Sequence, residues 1–307
     1  VIVDMMLVLG GLALLVFGGD LLVKGAVNLA LKLGMTPLVV GLTVVAFGTS
    51  APELLVSISA ALQGSSGIAM GNVVGSNIAN VVLILGVTAV ISTIVTRGHD
   101  LRESWAMMIG ASVLVIALAF TGEIGRIEGA ILLAALALVL WRQLSTGKAD
   151  AEELEGAELG ANWTRIAIWL GLGLVLLPLG ANLLVTGASD IARTFGISDA
   201  VIGLTLVAVG TSLPELAASV ASAMRGRADM ALGNVVGSNI FNLLAILGIT
   251  AVVAPLPVPP EMLRLDLWVM LGTSLLLAPF LLRAVSLTRA VGAGFVLFYA
   301  GYVWVLL

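Results

Sequence analysis

Sliding the chain against itself by 162 positions aligns residues 41–80 with 203–242 without a gap, and 24 of those 40 positions are identical. The offset persists upstream, where Gly18, Leu21, Leu22, Val23, Gly25, Ala26, Ala30 and Gly34 each meet an identical residue 162 positions later. Two copies of one unit share one plan, so the fold has to be built twice from the same parts. Hydrophobic residues make up 60% of the chain and charged ones 10%, against about 25% charged in an ordinary globular domain. The solvent for that plan is therefore lipid. A membrane helix needs roughly 20 predominantly apolar residues. Breaking the sequence at charges, Pro and Gly gives ten candidates: 5–32, 37–62, 68–94, 103–120, 127–144, 164–192, 198–223, 230–254, 266–282 and 291–307.

Five spans fall on each side of a hydrophilic linker, 145–163, in which Asp150, Glu152, Glu153, Glu155 and Glu158 mark a solvated loop. Equivalent helices lie an odd number of spans apart, so the second copy sits upside down, the inverted-repeat plan of secondary transporters. The predicted fold class is all-α and integral to the membrane: ten transmembrane helices in two inverted five-helix repeats, 1–144 and 164–307. Lys and Arg near the span ends favour an outside N-terminus by ten positions to three, leaving out Lys24 inside the first span. The linker is then cytoplasmic, and the expected location is a prokaryotic plasma (inner) membrane. No cleavable leader is expected before the first span at Met5, which would direct insertion itself. The chain has no cysteine and one histidine, His99, in a charged loop, so zinc chemistry lacks ligands. No histidine or second acid is placed as a partner base, which speaks against an enzyme. No nucleic-acid partner and no cofactor are expected, and the uniformly apolar exterior is expected to belong to a monomer.

Chemistry concentrates in the repeated segments. Near the middle of the second span stands Gly48-Thr49-Ser50-Ala51-Pro52-Glu53, copied in the seventh as Gly210-Thr211-Ser212-Leu213-Pro214-Glu215. Pro52 offers no N–H and its ring clashes with the carbonyl of Gly48, so each span is predicted to break into two half-helices. Ser50 with Glu53, and Ser212 with Glu215, match a capping box opening the second half. The first halves would end on carbonyls around Ala46, Phe47 and Thr49, and around Ala208, Val209 and Thr211, where the negative end of the helix dipole attracts cations. The following spans carry Gly71-Asn72-Val73-Val74-Gly75-Ser76-Asn77 onward to Asn80, and the matching run from Gly233 to Asn242. Asn72, Ser76 and Asn80 form one polar stripe, as do Asn234, Ser238 and Asn242. Gly71, Gly75, Gly233 and Gly237 would let that stripe approach the broken helices, and helices 3 and 8 are also expected to be interrupted or bent at the midplane.

An ionisable group at membrane depth marks function. Two carboxylates brought together about a pseudo-twofold axis repel each other unless a cation or proton intervenes. Calcium fits, because it takes about six to eight oxygens and two glutamates balance its charge; the hydroxyls of Ser50, Ser212, Ser76 and Ser238 suit sodium. Asn72 and Asn234 stand open between ligands and interhelical glue, and Asn80 and Asn242 between direct ligation and support of a ligand. Asp20 and Lys24, four apart, are expected to pair structurally.

These motifs resemble those of the cation/calcium exchanger superfamily, in particular its sodium/calcium exchangers. The resemblance spans nearly the whole chain and rests on GLTVVAFGTSAPEL with GNVVGSNIAN and GLTLVAVGTSLPEL with GNVVGSNIFN. It implies that Glu53 and Glu215 are central calcium ligands, with the carbonyls of Thr49 and Thr211. Ala46, Ser50, Ser76, Ala208, Ser212 and Ser238 would complete adjacent sodium sites. It further implies that the first and sixth helices slide as a gate, with which Gly10, Gly11, Gly18, Gly19, Gly171, Gly173, Gly180 and Pro178 are compatible. Several microbial and potassium-dependent members carry Asp where this chain has Asn242, which argues against potassium dependence. Proton/calcium exchangers of the superfamily usually carry Asn-Ala-Thr-Glu-like motifs here, which favours sodium as the coupling ion. The implied function is electrogenic, potassium-independent antiport of Na⁺ for Ca²⁺ by alternating access. The alternatives are H⁺/Ca²⁺ antiport through the same two glutamates and, further off, a cation channel.

Overall fold

The computed structural model describes residues 2–96, 101–146, 161–196, 208–283 and 285–306. Expectations for His99, for the acidic part of the linker and for 203–207 of the second motif lie outside the described residues. The described chain is almost entirely helical. Helix α1 spans Ile2–Leu33, α2 Pro37–Thr49, α3 Ala51–Leu62 and α4 Ser66–Ile91. Helices α5 (Arg102–Ala119) and α6 (Arg126–Thr146) complete the first half. The second half holds α7 (Trp163–Thr194), the single turn α8 (Ala208–Gly210), α9 (Leu213–Met224), α10 (Ala228–Val253), α11 (Met262–Leu282) and α12 (Arg289–Leu306).

Among the described residues seven helices are long and apolar enough to cross a membrane, and α2 with α3 forms an eighth span bent by 44°. Helix α12 is apolar over Arg289–Val305, and α9 stands where the repeat places the copy of α3. This layout is consistent with ten spans.

The inversion is visible in the packing of α1 on its own copy, α7. An added Cβ on Gly11 would meet Gly180 and Leu184, one on Gly25 would meet Leu170, and one on Gly187 would meet Asp4. The residue numbers run in opposite directions, so the two equivalent helices are antiparallel. Lipid gives no hydrophobic drive for helices to associate, and their cohesion comes from close van der Waals contact, which small residues permit. The same device recurs twice more between the halves: Gly86 of α4 faces Gly292 of α12, and Gly129 of α6 faces Gly248 of α10. With 86 + 162 = 248 and 129 + 163 = 292, the second contact is the copy of the first. Short extended segments repeat too, since Ile94 bridges Leu287 while Ile124 of β1 (Glu123–Ile124) pairs with Leu256 of β2 (Leu256–Pro257).

Helices α4 and α10 form the centre, with 72% and 89% of their most apolar windows buried, against 33% for α1 and 22% for α7. The interruption predicted in these two helices takes the form of a π-helical turn, at Asn80–Ile84 and Phe241–Ile246. Such turns shift the side-chain register within an otherwise continuous helix and concentrate at functional sites. Asp20, expected beside Lys24, reaches to another helix. It bonds Arg225 at the end of α9, while the Lys24 ammonium lies 4.4 Å from the centre of the Trp169 ring on α7; a helix that faces two neighbours sends adjacent turns to different partners.

Candidate functional site

The break in the second span falls where Pro52 forces it. Helix α2 ends at Thr49, Ser50 adopts φ −83° and ψ 4°, and α3 starts at Ala51 with Pro52 in its first turn. Its copy behaves alike: Ser212 has φ −90° and ψ 3°, and α9 starts at Leu213 with Pro214 in its first turn. Each glutamate thereby lands in the first turn of a new half-helix, at a positive dipole end that favours a carboxylate. Both Glu53 and Glu215 are 1% exposed.

The predicted capping boxes do not form, for neither Ser50 nor Ser212 caps its helix with its side chain. Ser50 Oγ instead donates across the repeats to Glu215 Oε1 at 2.9 Å. Ser212 Oγ approaches Glu53, the mirror arrangement, but closes no hydrogen bond of normal geometry. The Ala46 carbonyl is less free than expected, because it accepts Ser50 N–H at 3.0 Å and faces the Thr49 hydroxyl at 3.3 Å. That hydroxyl also lies 3.4 Å from Asn234 Oδ1. Thr211 is half-buried beside the second break, and Ala208 opens α8 with its side chain outside the described set.

Asn72 and Asn234 resolve as helix-to-helix links. Asn72 Nδ2 donates to the Glu53 carbonyl at 3.0 Å and to Ser57 Oγ at 2.9 Å. Asn234 Nδ2 donates to the Glu215 carbonyl at 3.2 Å and to Ser219 Oγ at 3.0 Å. Each amide ties the polar stripe to the backbone of the carboxylate-bearing turn, so the stripe faces the broken helix as the spacing predicts. Ser76, Ser238, Asn80 and Asn242 are buried along it. The close approach predicted for the glycines holds for Gly233, which abuts Leu38, and for Gly237, which abuts Leu42 and Ala46. Among the described residues Gly71 meets only Met262, at 3.6 Å from an added Cβ, and Gly75 meets nothing.

Two pairs escaped the sequence reading. Ser57 and Ser219 accept the asparagine bonds, and Asn77 and Asn239 meet in the core, with Asn239 Nδ2 3.3 Å from the Asn77 carbonyl. Asn77 and Asn239 are each other's copies, so the pseudo-twofold axis passes between them. Their identity across the repeats was the available signal.

Apart from Asn77 Oδ1, six buried oxygens of the two motifs have no hydrogen-bond partner of normal geometry: Glu53 Oε2, Glu215 Oε2, Asn80 Oδ1, Asn242 Oδ1, Ser212 Oγ and Ser238 Oγ. Buried polar atoms are nearly always paired, and leaving carboxylate oxygens unpaired in a membrane interior is costly. All six are hard oxygen donors from two segments that the fold brings together, a set suited to cations such as Ca²⁺ rather than to soft metals.

An all-helical membrane bundle with an inverted repeat and an oxygen-rich centre is the architecture of a secondary cation transporter. The family model described as sodium/calcium exchanger protein matches residues 4–145 and 165–307, and the chain belongs to that family. It is 40% identical to the putative antiporter CaxA of Alkalimonas amylolytica over 92% of this chain and 91% of that one. Sodium/calcium exchanger MaX1 of Methanosarcina acetivorans is 36% identical, covering 99% of this chain and 98% of its own. Among solved structures, the sodium-calcium exchanger NCX_Mj soaked with zero Na⁺ and Ca²⁺ superposes with a TM-score of 0.87 at 33% identity, over 100% of both chains.

Proposed function

We propose that this protein is a secondary antiporter that exchanges Na⁺ for Ca²⁺ across the membrane by alternating access. The observation that carries the reading is the set of unpartnered buried oxygens, headed by Glu53 Oε2 and Glu215 Oε2. A divalent cation neutralises both carboxylates at once. Sodium satisfies the same oxygens with less charge per ion, so the two cargoes compete, and the burial cost of an unneutralised pair disfavours crossing with the site empty. With three Na⁺ moved for each Ca²⁺ one net charge crosses per cycle, so the exchange is electrogenic, and the asparagine at position 242 speaks against a potassium requirement.

The ligand assignment proposed is Glu53 and Glu215 with the Thr49 and Thr211 carbonyls for Ca²⁺, and Ser50, Ser212, Ser76, Ser238, Ala46 and Ala208 for Na⁺. Asn80 and Asn242 lend oxygens to the centre. Ala46 takes part once its carbonyl is released by the Ser50 N–H or the Thr49 hydroxyl. We assign the repeats to 1–144 and 164–307, joined by a cytoplasmic linker at 145–163. The N-terminus is placed outside a prokaryotic inner membrane, and the working unit is a monomer. Membership of an exchanger family supports transport without covalent chemistry or a cofactor.

The test is ⁴⁵Ca²⁺ uptake into sodium-loaded proteoliposomes with and without an outward sodium gradient, using Glu53→Gln and Glu215→Gln as controls. Uptake that needs the gradient and fails in both variants is expected. Uptake indifferent to sodium but driven by a pH gradient would transfer the protein to the proton-coupled branch.

A further inference from the structure

We propose that Asn239 is a positioning residue that fixes the side-chain amide of Asn80 so that its oxygen, and not its nitrogen, is free for a cation; this rests on the reading of Asn80 as an ion ligand. The orientation follows from one group whose chemistry is unambiguous. The Asn77 backbone carbonyl can only accept, so the end of Asn239 that faces it, at 3.3 Å, must be Nδ2. The same end lies 3.6 Å from Met108 Sδ, a second acceptor. Asn239 therefore turns Oδ1 the other way, where it accepts Asn80 Nδ2 at 3.0 Å. With its nitrogen committed, Asn80 keeps Oδ1 buried and unpartnered. A flip of Asn80 would set its oxygen against the oxygen of Asn239, so one asparagine determines which atom the other presents.

The pseudosymmetric residue does not do this for Asn242. Asn77 Nδ2 bonds its own helix at the Val73 carbonyl at 2.7 Å, and its Oδ1 has no partner. The device therefore acts on one repeat only, although Asn77 and Asn239 occupy equivalent places.

Apparent Ca²⁺ affinity in the proteoliposome assay, for Asn80→Ala, Asn239→Ala, the double variant and Asn77→Ala, tests the proposal. Groups that orient a ligand typically contribute about 10- to 100-fold to affinity. Asn80→Ala and Asn239→Ala are each expected to weaken Ca²⁺ at the low end of that range, and the double variant to be no worse than Asn80→Ala, since one residue acts through the other. Asn77→Ala should stay within about twofold. A purely structural Asn239 would lower the melting temperature in both backgrounds while leaving affinity untouched, which overturns the proposal, as do additive losses. An unchanged affinity in Asn80→Ala refutes the reading of Asn80 as a ligand, and the proposal with it, while failure of Glu53→Gln still supports antiport. Should Asn239→Ala not fold, neutron diffraction on the wild-type protein decides: deuterons on the Asn80 atom facing Asn239 are expected, and deuterons on the opposite atom overturn it.

Discussion

Replacing Gly173 by alanine should force α1 and α7 apart, and replacing Gly171 should not. A Cβ on Gly173 would lie 2.7 Å from Leu22 Cβ and 2.8 Å from both Leu22 Cα and Leu22 N, well inside the optimum of about 3.5–4.0 Å for carbon contacts. Two of those atoms are backbone and cannot rotate away, so the helices must separate. Gly171, two residues earlier on the same helix, is exposed, and a Cβ there meets nothing within 4 Å. Alanine gains about 1 kcal/mol of helix propensity over glycine at either position, and this cancels in the comparison. What remains is the overpacking at Gly173, about 1–3 kcal/mol. At about 2–4 °C per kcal/mol, Gly173→Ala should melt roughly 2–12 °C below Gly171→Ala. Thermal unfolding of the detergent-purified variants, followed by intrinsic fluorescence, measures this directly. Equal melting temperatures, or a higher one for Gly173→Ala, would refute the close packing of α1 on α7.

Three further outcomes follow from particular bonds. In ion-free buffer Ser50→Ala should lose about 1–3 kcal/mol of stability, the range for leaving a buried hydrogen-bonding group unsatisfied. Ser212→Ala, whose hydroxyl approaches Glu53 without a bond of normal geometry, should lose less; equal melting shifts would contradict the asymmetry. Asn234→Ala removes two bonds that hold the Glu215 turn against α10 and should weaken Ca²⁺ about tenfold, read from the concentration dependence of ⁴⁵Ca²⁺ uptake. Asp20→Asn breaks an exposed pair with Arg225 and should cost no more than about 1 kcal/mol, so a large drop in melting temperature would show that the pair is stronger than its exposure implies.

The spans were legible because lipid leaves few options: a helix must satisfy its own backbone, and its apolar run fixes its length. The span expected at 37–62 appears as α2 and α3 with identical outer limits, and 266–282 ends where α11 ends. The break at Ser50 was legible from Pro52 alone. Partner choice was not. Ser50 and Glu53 satisfy the spacing of a capping box, but spacing describes only local options, and Glu215 is 165 residues from Ser50. The bond of Asp20 to Arg225 was hidden in the same way, since an i, i+4 pair competes with partners on other helices that periodicity cannot see. The π-helical turns were foreseen only as an interruption, because no residue type marks such a turn as Pro marks a break.

The deeper limit lies in the repeat itself. Two nearly identical motifs predict two identical half-sites, yet Ser50 donates to Glu215 at 2.9 Å while Ser212 reaches Glu53 without closing a bond of normal geometry, and Asn239 bonds Asn80 while Asn77 turns back on its own helix. A transporter of inverted repeats requires this. If both halves adopted the same conformation the site would face both sides of the membrane equally, so at any moment one repeat must take the arrangement that closes a mouth and the other the one that opens it. Sequence symmetry then specifies a pair of conformations and leaves open which repeat holds which. The hydrogen bonds that break the symmetry in one access state are those that must exchange partners to reach the other. On that argument the closed Ser50–Glu215 bond and the looser approach of Ser212 to Glu53 exchange character in the opposite state, where Ser212 would close its bond and Ser50 would relax.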